Sequence, residues 1–214
     1  KYALSICLIA GGGLAAQTPG LIGPSATTGK YTFLEQGWKD EIRHKFWFVD
    51  QGSRIMPLNW FERLERAGSS QEKFSQNLER FGFIPDDLSI KGDLNKAKLP
   101  IGFTVSESGE VGLNCAACHT GLISHGNKNY MIEGAPSMLN FDLFLSEMVD
   151  AMEDTVKDAP KGKRFFDGFP PDANDSFCVK LSKLRQRREI NTSKTKAGFA
   201  RVDAFGHIFN QVIV

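Results

Sequence analysis

The pentapeptide Cys115-Ala116-Ala117-Cys118-His119 constrains this chain more than any other stretch. Residues three positions apart lie on nearly the same face of a helical turn, so Cys115 and Cys118 can meet two edges of one planar ring. The histidine that follows is delivered to a metal at the centre of that ring, and this pattern is typical of c-type haem attachment. We therefore predict haem c, with its iron, bonded to both cysteines, and His119 as the proximal iron ligand.

The pentapeptide also allows three other interpretations. A structural zinc site requires four Cys or His ligands at paired spacings, but Cys7 and Cys178 are remote single cysteines. A thioredoxin-like redox pair requires a βαβ context, which the surrounding sequence does not indicate. The third interpretation is a chance match within a buried helix. The chain has four cysteines, two of them in the pentapeptide, so no disulfide framework is expected.

The composition agrees with a globular protein that encloses a large apolar group. Of 214 residues, 41% are hydrophobic and 17 are Phe, and a chain of this length can form one or two domains with a real core. The net charge of +1 provides no long-range field for nucleic acid or an anionic membrane. We expect no nucleic-acid partner, and a redox partner protein or a larger haem-protein assembly instead.

The N-terminal stretch indicates export. Residues 1–16 are apolar or small after Lys1 and are too short to span a bilayer comfortably, so we predict a signal peptide or an N-terminal hydrophobic segment. An uncleaved anchor and a core helix are the alternatives, and membrane association is expected only through this segment if it is uncleaved. Residues 17–30, rich in Pro and Gly, are predicted to be a linker before a haem domain at 31–214. The expected location is periplasmic or extracellular.

Apolar spacing predicts several helices. The longest has a stripe from Met138 to Val156 that includes Met148 and Met152, and its methionines are expected to pack in the core rather than to bind iron. Residues 82–112 and the stretch from Gly126 to Pro136 contain Gly, Pro and Asn and are predicted to be irregular. The other predicted helices lie within 33–49, after Pro57, near 74–81, and in a basic segment at 177–190.

The stretches that flank the pentapeptide resemble one family. They are Gln51-Gly52-Ser53-Arg54, Met56-Pro57, Trp60-Phe61, Val111-Gly112-Leu113-Asn114, Thr120-Gly121, Glu133-Gly134-Ala135-Pro136 and 198–205. Together they are similar to the N-terminal haem domain of bacterial di-haem cytochromes c related to rubber oxygenases and, more distantly, to di-haem cytochrome c peroxidases, over roughly residues 35 to 210. The resemblance implies export, redox chemistry and a helical fold. We expect a mainly α, cytochrome c-like haem domain with additional helices and long irregular loops.

The same resemblance implies a second haem motif well downstream, whereas this sequence carries one. Either the chain is the N-terminal part of a longer protein or it is a one-haem relative. The residue opposite His119 then decides the function, because a filled position gives an electron carrier and an open one allows O₂ or peroxide to bind. His207 and Met131 are the candidate distal ligands. Arg201 either holds a haem propionate or forms an ion pair with Asp203.

The principal prediction is an exported c-type cytochrome with one covalent haem that acts in electron transfer. The alternative is a haem-iron oxygenase or peroxidase, as the N-terminal catalytic domain of a longer di-haem enzyme. A third hypothesis is a structural haem subunit whose basic helix contacts a larger assembly. The basic helix can also be a simple solvated surface, or it can dock an acidic redox partner or haem propionates.

Overall fold

The structure is a computed structural model that describes residues 31–34, 36–86 and 93–201, together with positions 207, 210 and 212. The predicted signal peptide (1–16), the predicted linker (17–30) and Cys7 lie outside the described residues. The elements in chain order are β1 (Tyr31–Phe33), α1 (Asp40–Phe48), β2 (Met56–Pro57), α2 (Leu58–Arg63), a 3₁₀ turn (Leu78–Phe81), β3 (Phe103–Val105), β4 (Glu110–Leu113), α3 (Cys115–Cys118), β5 (Thr120–His125), β6 (Lys128–Glu133), α4 (Phe141–Lys157), α5 (Ala159–Phe166) and α6 (Ala173–Asn191).

The strands form two three-stranded sheets. In the first sheet β6 lies between β1, which is parallel to it, and β5, which is antiparallel. In the second sheet β4 lies between β2 and β3, both antiparallel to it. The helix α3 joins β4 of the second sheet to β5 of the first. The pentapeptide therefore lies at the junction between the two sheets.

The main core lies between the second sheet and the helices α2, α4, α5 and α6. It is rich in phenylalanine, and Phe144 of α4 is near its centre, with ring centroids 5.2 to 6.0 Å from those of four other Phe rings. Those four are Phe74, Phe81, Phe83 and Phe103. A second, smaller cluster contains Trp47, Phe48, Ile84, Ile101, Ala116 and Met131 and lies behind α3.

The prediction of a mainly α, cytochrome c-like domain with long irregular loops is wrong. Of the described residues 42% are helical and 16% lie in strands, so the fold is α/β with two small sheets. The strand β3 and most of β4 fall within 82–112, and β6 falls within 126–136, both of which were expected to be irregular. Some of the Gly and Asn residues in these stretches lie in turns, and others lie in strands that pair with distant segments. Local strand propensity does not reveal such pairing.

The helix predictions are confirmed to different extents. The predicted stripe forms α4 from Phe141 onward, so Met138 lies before the helix, and Met148 and Met152 are buried in the core as expected. The helix predicted for 33–49 is confirmed only for 40–48, because Phe33 belongs to β1. A further helix, α5, begins just after α4, and Pro160 lies in its first turn, where its missing N–H costs no hydrogen bond.

The basic helix is confirmed as α6 and extends beyond the predicted 177–190 to Ala173–Asn191. Near 74–81, only the 3₁₀ turn at Leu78–Phe81 forms, and it ends at Gly82 with φ +89°. Within the described ranges, no helix has both the length and the apolar character needed to cross a bilayer.

Candidate functional site

The pentapeptide forms a single helical turn with two different sides. Ala116 and Ala117 face the core and are 1% and 5% exposed. Cys115 and His119 are exposed, and Cys118 is half-buried at the margin of the main core. The turn is short because β5 begins directly after His119. The two cysteines and the histidine are thus all more exposed than the two alanines of the same turn.

Asn114 fixes the start of this turn. Its side-chain oxygen accepts a hydrogen bond from the Ala116 backbone N–H at 2.9 Å, which caps α3. Its amide nitrogen donates to the carbonyl oxygens of Phe46, Trp47 and Val49, at 3.1 Å each. These carbonyls belong to the end of α1, so one buried side chain joins that end to the first residues of the pentapeptide.

Two further contacts hold the same end of the turn. The Cys115 backbone N–H donates to the side-chain oxygen of Gln51 at 3.0 Å. Gly102 packs directly under Ala117, since a Cβ at position 102 would lie 2.3 Å from the Ala117 Cα atom. Gly102 also has φ +88°, a conformation that other residues rarely adopt. A larger side chain at 102 would push the turn outward.

The other end of the turn is held by backbone hydrogen bonds from the segment after β6. The carbonyl of Cys118 accepts from the Ser137 N–H at 3.0 Å, and that of His119 accepts from the Gly134 N–H at 2.8 Å. Inside the turn, the His119 N–H donates to the Cys115 carbonyl at 2.9 Å. The carbonyls of Cys115, Cys118 and His119 are therefore all paired, and the backbone of the turn is fixed without help from the thiols or the imidazole.

A buried ion pair supports the sheet behind His119. Thr120, the next residue, pairs in register with Glu133 of β6. Nε of Arg43 on α1 donates to the carboxylate of Glu133, whose side chain is fully buried. The Arg43 guanidinium also lies 4.1 Å from the centroid of the Phe33 ring on β1. Because this pair joins α1, β1 and β6, it fixes the sheet edge from which His119 projects.

The surroundings of the turn do not have the βαβ context of a thioredoxin-like redox pair. The strands on either side of α3, β4 and β5, belong to two different sheets, so α3 does not connect two parallel strands of one sheet. Burial raises the pKa of Cys118, and the neighbouring Cys115 raises it further.

The turn offers two thiols and one imidazole, which is the donor set that covalent haem c takes from such a motif. In the part of the chain that the structure describes, no three His, Cys, Asp or Glu side chains are grouped to hold a metal ion. Haem c needs only two thiols and one imidazole from such a turn. Cys115, Cys118 and His119 would hold the group, and the two alanines leave the turn narrow where it packs on the core.

The structure places the two candidate distal ligands in different surroundings. Met131 is fully buried and packs in the smaller cluster with Ala116, on the core side of α3. His207 lies beside α4, with its ring centroid 5.6 Å from that of Phe141 and its Nε2 atom 3.4 Å from a carboxylate oxygen of Asp142. Nδ1 of His207 is buried and has no hydrogen-bond partner among the described residues.

Among the described residues, no hydrogen bond or ring contact joins His119 to Met131 or His207, so the distal ligand stays a prediction. His207 contacts the start of α4 through Phe141 and Asp142, and Phe141 packs against the main core. Arg201 is exposed, and its predicted partner Asp203 lies outside the described residues. The propionate role of Arg201 also stays a prediction.

Sequence reasoning missed most of the residues that hold the turn. Asn114 could have been found, since Asn directly before a helical turn is a preferred N-cap. Gln51 lies 64 residues before Cys115, and no local pattern indicates that contact. The role of Gly102 depends on how closely β3 approaches α3, which is likewise invisible in the sequence.

Comparison with known proteins identifies one similar chain of undetermined role. The sequence is 30% identical, over 86% of its length, to the uncharacterized protein y4iJ of Sinorhizobium fredii (strain NBRC 101917 / NGR234). The alignment covers 36% of that protein, so the present chain spans little more than a third of this relative's length. Comparisons with known families and with solved structures gave no match. The resemblance to di-haem cytochromes c accordingly stays a prediction.

Proposed function

We propose that the turn at Cys115–His119 carries one covalently bound haem c and that the protein transfers electrons. The observation that supports this most is the two-sided turn, in which both thiols and the imidazole lie outside the buried alanine side. When bound, the haem supplies an iron that changes oxidation state by one electron. Cys115 and Cys118 would attach it, and His119 would bind its iron.

The residues around the turn fix its backbone in place. Asn114, Gln51 and Gly102 set its position, and the backbone bonds to 134 and 137 fix its end. The buried pair of Arg43 and Glu133 holds the sheet beside His119. We propose export to the periplasm or the cell exterior and a redox partner protein, or a larger haem-protein assembly, as the electron donor or acceptor.

Single cysteine substitutions test the attachment. The chain is expressed together with a c-type cytochrome maturation system, and covalent haem is measured by the absorbance of the denatured pyridine complex. Cys118→Ala should lose one thioether and shift this spectrum, whereas Cys178→Ala should not, because Cys178 is an exposed cysteine on α6. Full, unshifted covalent haem in Cys118→Ala would contradict the assignment.

The carrier function is tested on the wild-type protein by the ferrous spectrum with and without carbon monoxide. A low-spin spectrum that carbon monoxide does not change supports electron transfer, because both axial positions are then filled. A high-spin iron that binds carbon monoxide would overturn the carrier function. The same result would favour the oxygenase or peroxidase alternative.

A further inference from the structure

A cavity of about 340 Å³ lies between α6 and residues 54–55 and has strongly basic walls. Its volume is within the range of small-ligand sites. Its lining residues include four cations, three aliphatic side chains and no acidic residue: Arg54, Lys180, Lys183, Arg187, Ile55, Leu184, Ile190, Gln186 and Asn210. We call this space the cationic cavity.

The charges of α6 are distributed unequally around its axis. Arg185 and Arg188 are paired with carboxylates of α4, at 3.1 Å from Glu153 and 2.6 Å from Asp150. Arg54, the fourth cation of the lining, is paired with Asp50 at 2.8 Å and lies 3.8 Å from Glu110. Lys180, Lys183 and Arg187 recur at helical spacing on the side of the cavity, and none of these three has an ion-pair partner among the described residues. Unpaired like charges repel one another, so this arrangement favours an anionic occupant.

The walls around Arg187 strengthen this preference. Arg187 is exposed as a whole, and packing around part of its guanidinium lowers its pKa through desolvation. Its planar guanidinium also suits bidentate contacts with a carboxylate.

The cationic cavity is joined to the strand that leads into the cysteine turn. The N–H of Ile55 donates to the carbonyl of Val111 on β4 at 2.7 Å, and Gln51, which accepts the hydrogen bond from Cys115, lies three residues before Arg54. The Arg187 guanidinium lies 6.0 Å from the centroid of the Phe141 ring at the start of α4. Ile55 and Phe141 both pack against the main core. The occupant that best fits these walls is an apolar group that carries carboxylates and is attached nearby.

We propose that the cationic cavity binds the carboxylate groups of the haem attached at Cys115 and Cys118. This inference rests on the proposed haem attachment. Lys183 and Arg187 would pair with the carboxylates, while Ile55, Leu184 and Ile190 would contact the apolar edge of the ring. The sequence suggests Arg201 as a partner of a haem propionate. The cationic cavity offers several cations that lie together for the same contact.

The test compares two double variants of α6 in the haem-loaded protein. Lys183→Gln with Arg187→Gln removes two cations from the cavity, and Arg185→Gln with Arg188→Gln removes two cations outside it. The measured quantity is the midpoint reduction potential between pH 5 and pH 8. The cavity variant should have a lower potential, because lost positive charge favours the oxidised iron. Its potential should also become more dependent on pH, because carboxylates without cations have a raised pKa.

The control pair should shift the potential less and leave its pH dependence unchanged. Arg187→Lys, which keeps the charge, should retain most of the wild-type potential, and circular dichroism verifies folding of each variant. Equal shifts in both double variants, with covalent haem present, would overturn the carboxylate assignment alone. A wild-type protein without covalent haem would overturn the attachment and, with it, this inference.

Discussion

The phenylalanine core and the cysteine turn are held in different ways. Around Phe144 the stabilising contacts are apolar and spread over four neighbouring rings. Around the turn they are hydrogen bonds, and several of them converge on Asn114. A substitution in the core should therefore lower the stability of the whole fold, whereas one at Asn114 should act mainly on the turn and on what it presents.

The largest effect is expected for Phe144→Ala. Removing a fully buried ring leaves a cavity, and we expect a loss of about 4 kcal/mol in the free energy of unfolding. Leu143→Ala is the control, because Leu143 lies on the same helix and is 37% exposed. Urea denaturation measures both. The amount of covalent haem per folded molecule should stay at the wild-type level, and a loss no greater than that of the control would contradict the role given to this ring.

A smaller effect is expected for Glu65→Gln, which tests a polar contact within the helical region. The side chain of Glu65 is 3% exposed and pairs with Arg164 at 2.7 Å. Hydrogen bonds from Arg164 and from the Gln71 N–H lower the pKa of Glu65 to about 2. At pH 7 the loss should be about 3 kcal/mol in the free energy of unfolding.

The pH dependence provides an independent check of this contact. Because the folded pKa is below the unfolded value, the stabilisation is complete above about pH 4.5 and is lost as the pH falls towards 2. The difference between wild type and Glu65→Gln should therefore shrink over that range in urea titrations. Glu62→Gln, an exposed neighbour, should change little at any pH. A difference that is constant from pH 7 to pH 3 would show that charge is not involved.

The smallest loss of stability, and the largest change at the turn, is expected for Asn114→Ala. Removing the cap and the bonds to α1 should cost about 2 kcal/mol. Asn140→Ala is a matched control, since Asn140 caps α4 through the Leu143 N–H at 3.1 Å. Covalent haem per folded molecule should fall in Asn114→Ala and stay unchanged in Asn140→Ala. Equal haem content in both would show that the turn does not need Asn114.

The sequence was sufficient where all the information is local. The stripe of α4 lies within one helix, and the two cysteines and the histidine lie within five residues, so both could be located without the fold. The strand β6 could not, because Glu133 is a buried acid whose partner Arg43 is 90 residues away. Its charge breaks the apolar alternation that would have indicated a strand.

The strand β1 was missed for a related reason. Phe33 continues the apolar spacing that predicted a helix for 33–49, yet it pairs with Met131 in the parallel contact of β1 with β6. No short stretch of sequence records such a partner. The residues that support the turn are equally dispersed, since Gln51, Gly102 and Ser137 come from three separate segments.

The parallel pairing of β1 with β6 has a consequence for the order of folding. The strands β5 and β6 are joined by a two-residue turn at Gly126 and Asn127, with Gly126 at φ +58°, so this hairpin closes a very short loop. In contrast, Gln36, just after β1, reaches the carbonyl of Glu133 across 97 residues. Closing a longer loop costs more chain entropy, and distant contacts form more slowly. We therefore expect the hairpin of β5 and β6, beside His119, to form early. The strand β1 should add to β6 late, so that this edge of the sheet forms last.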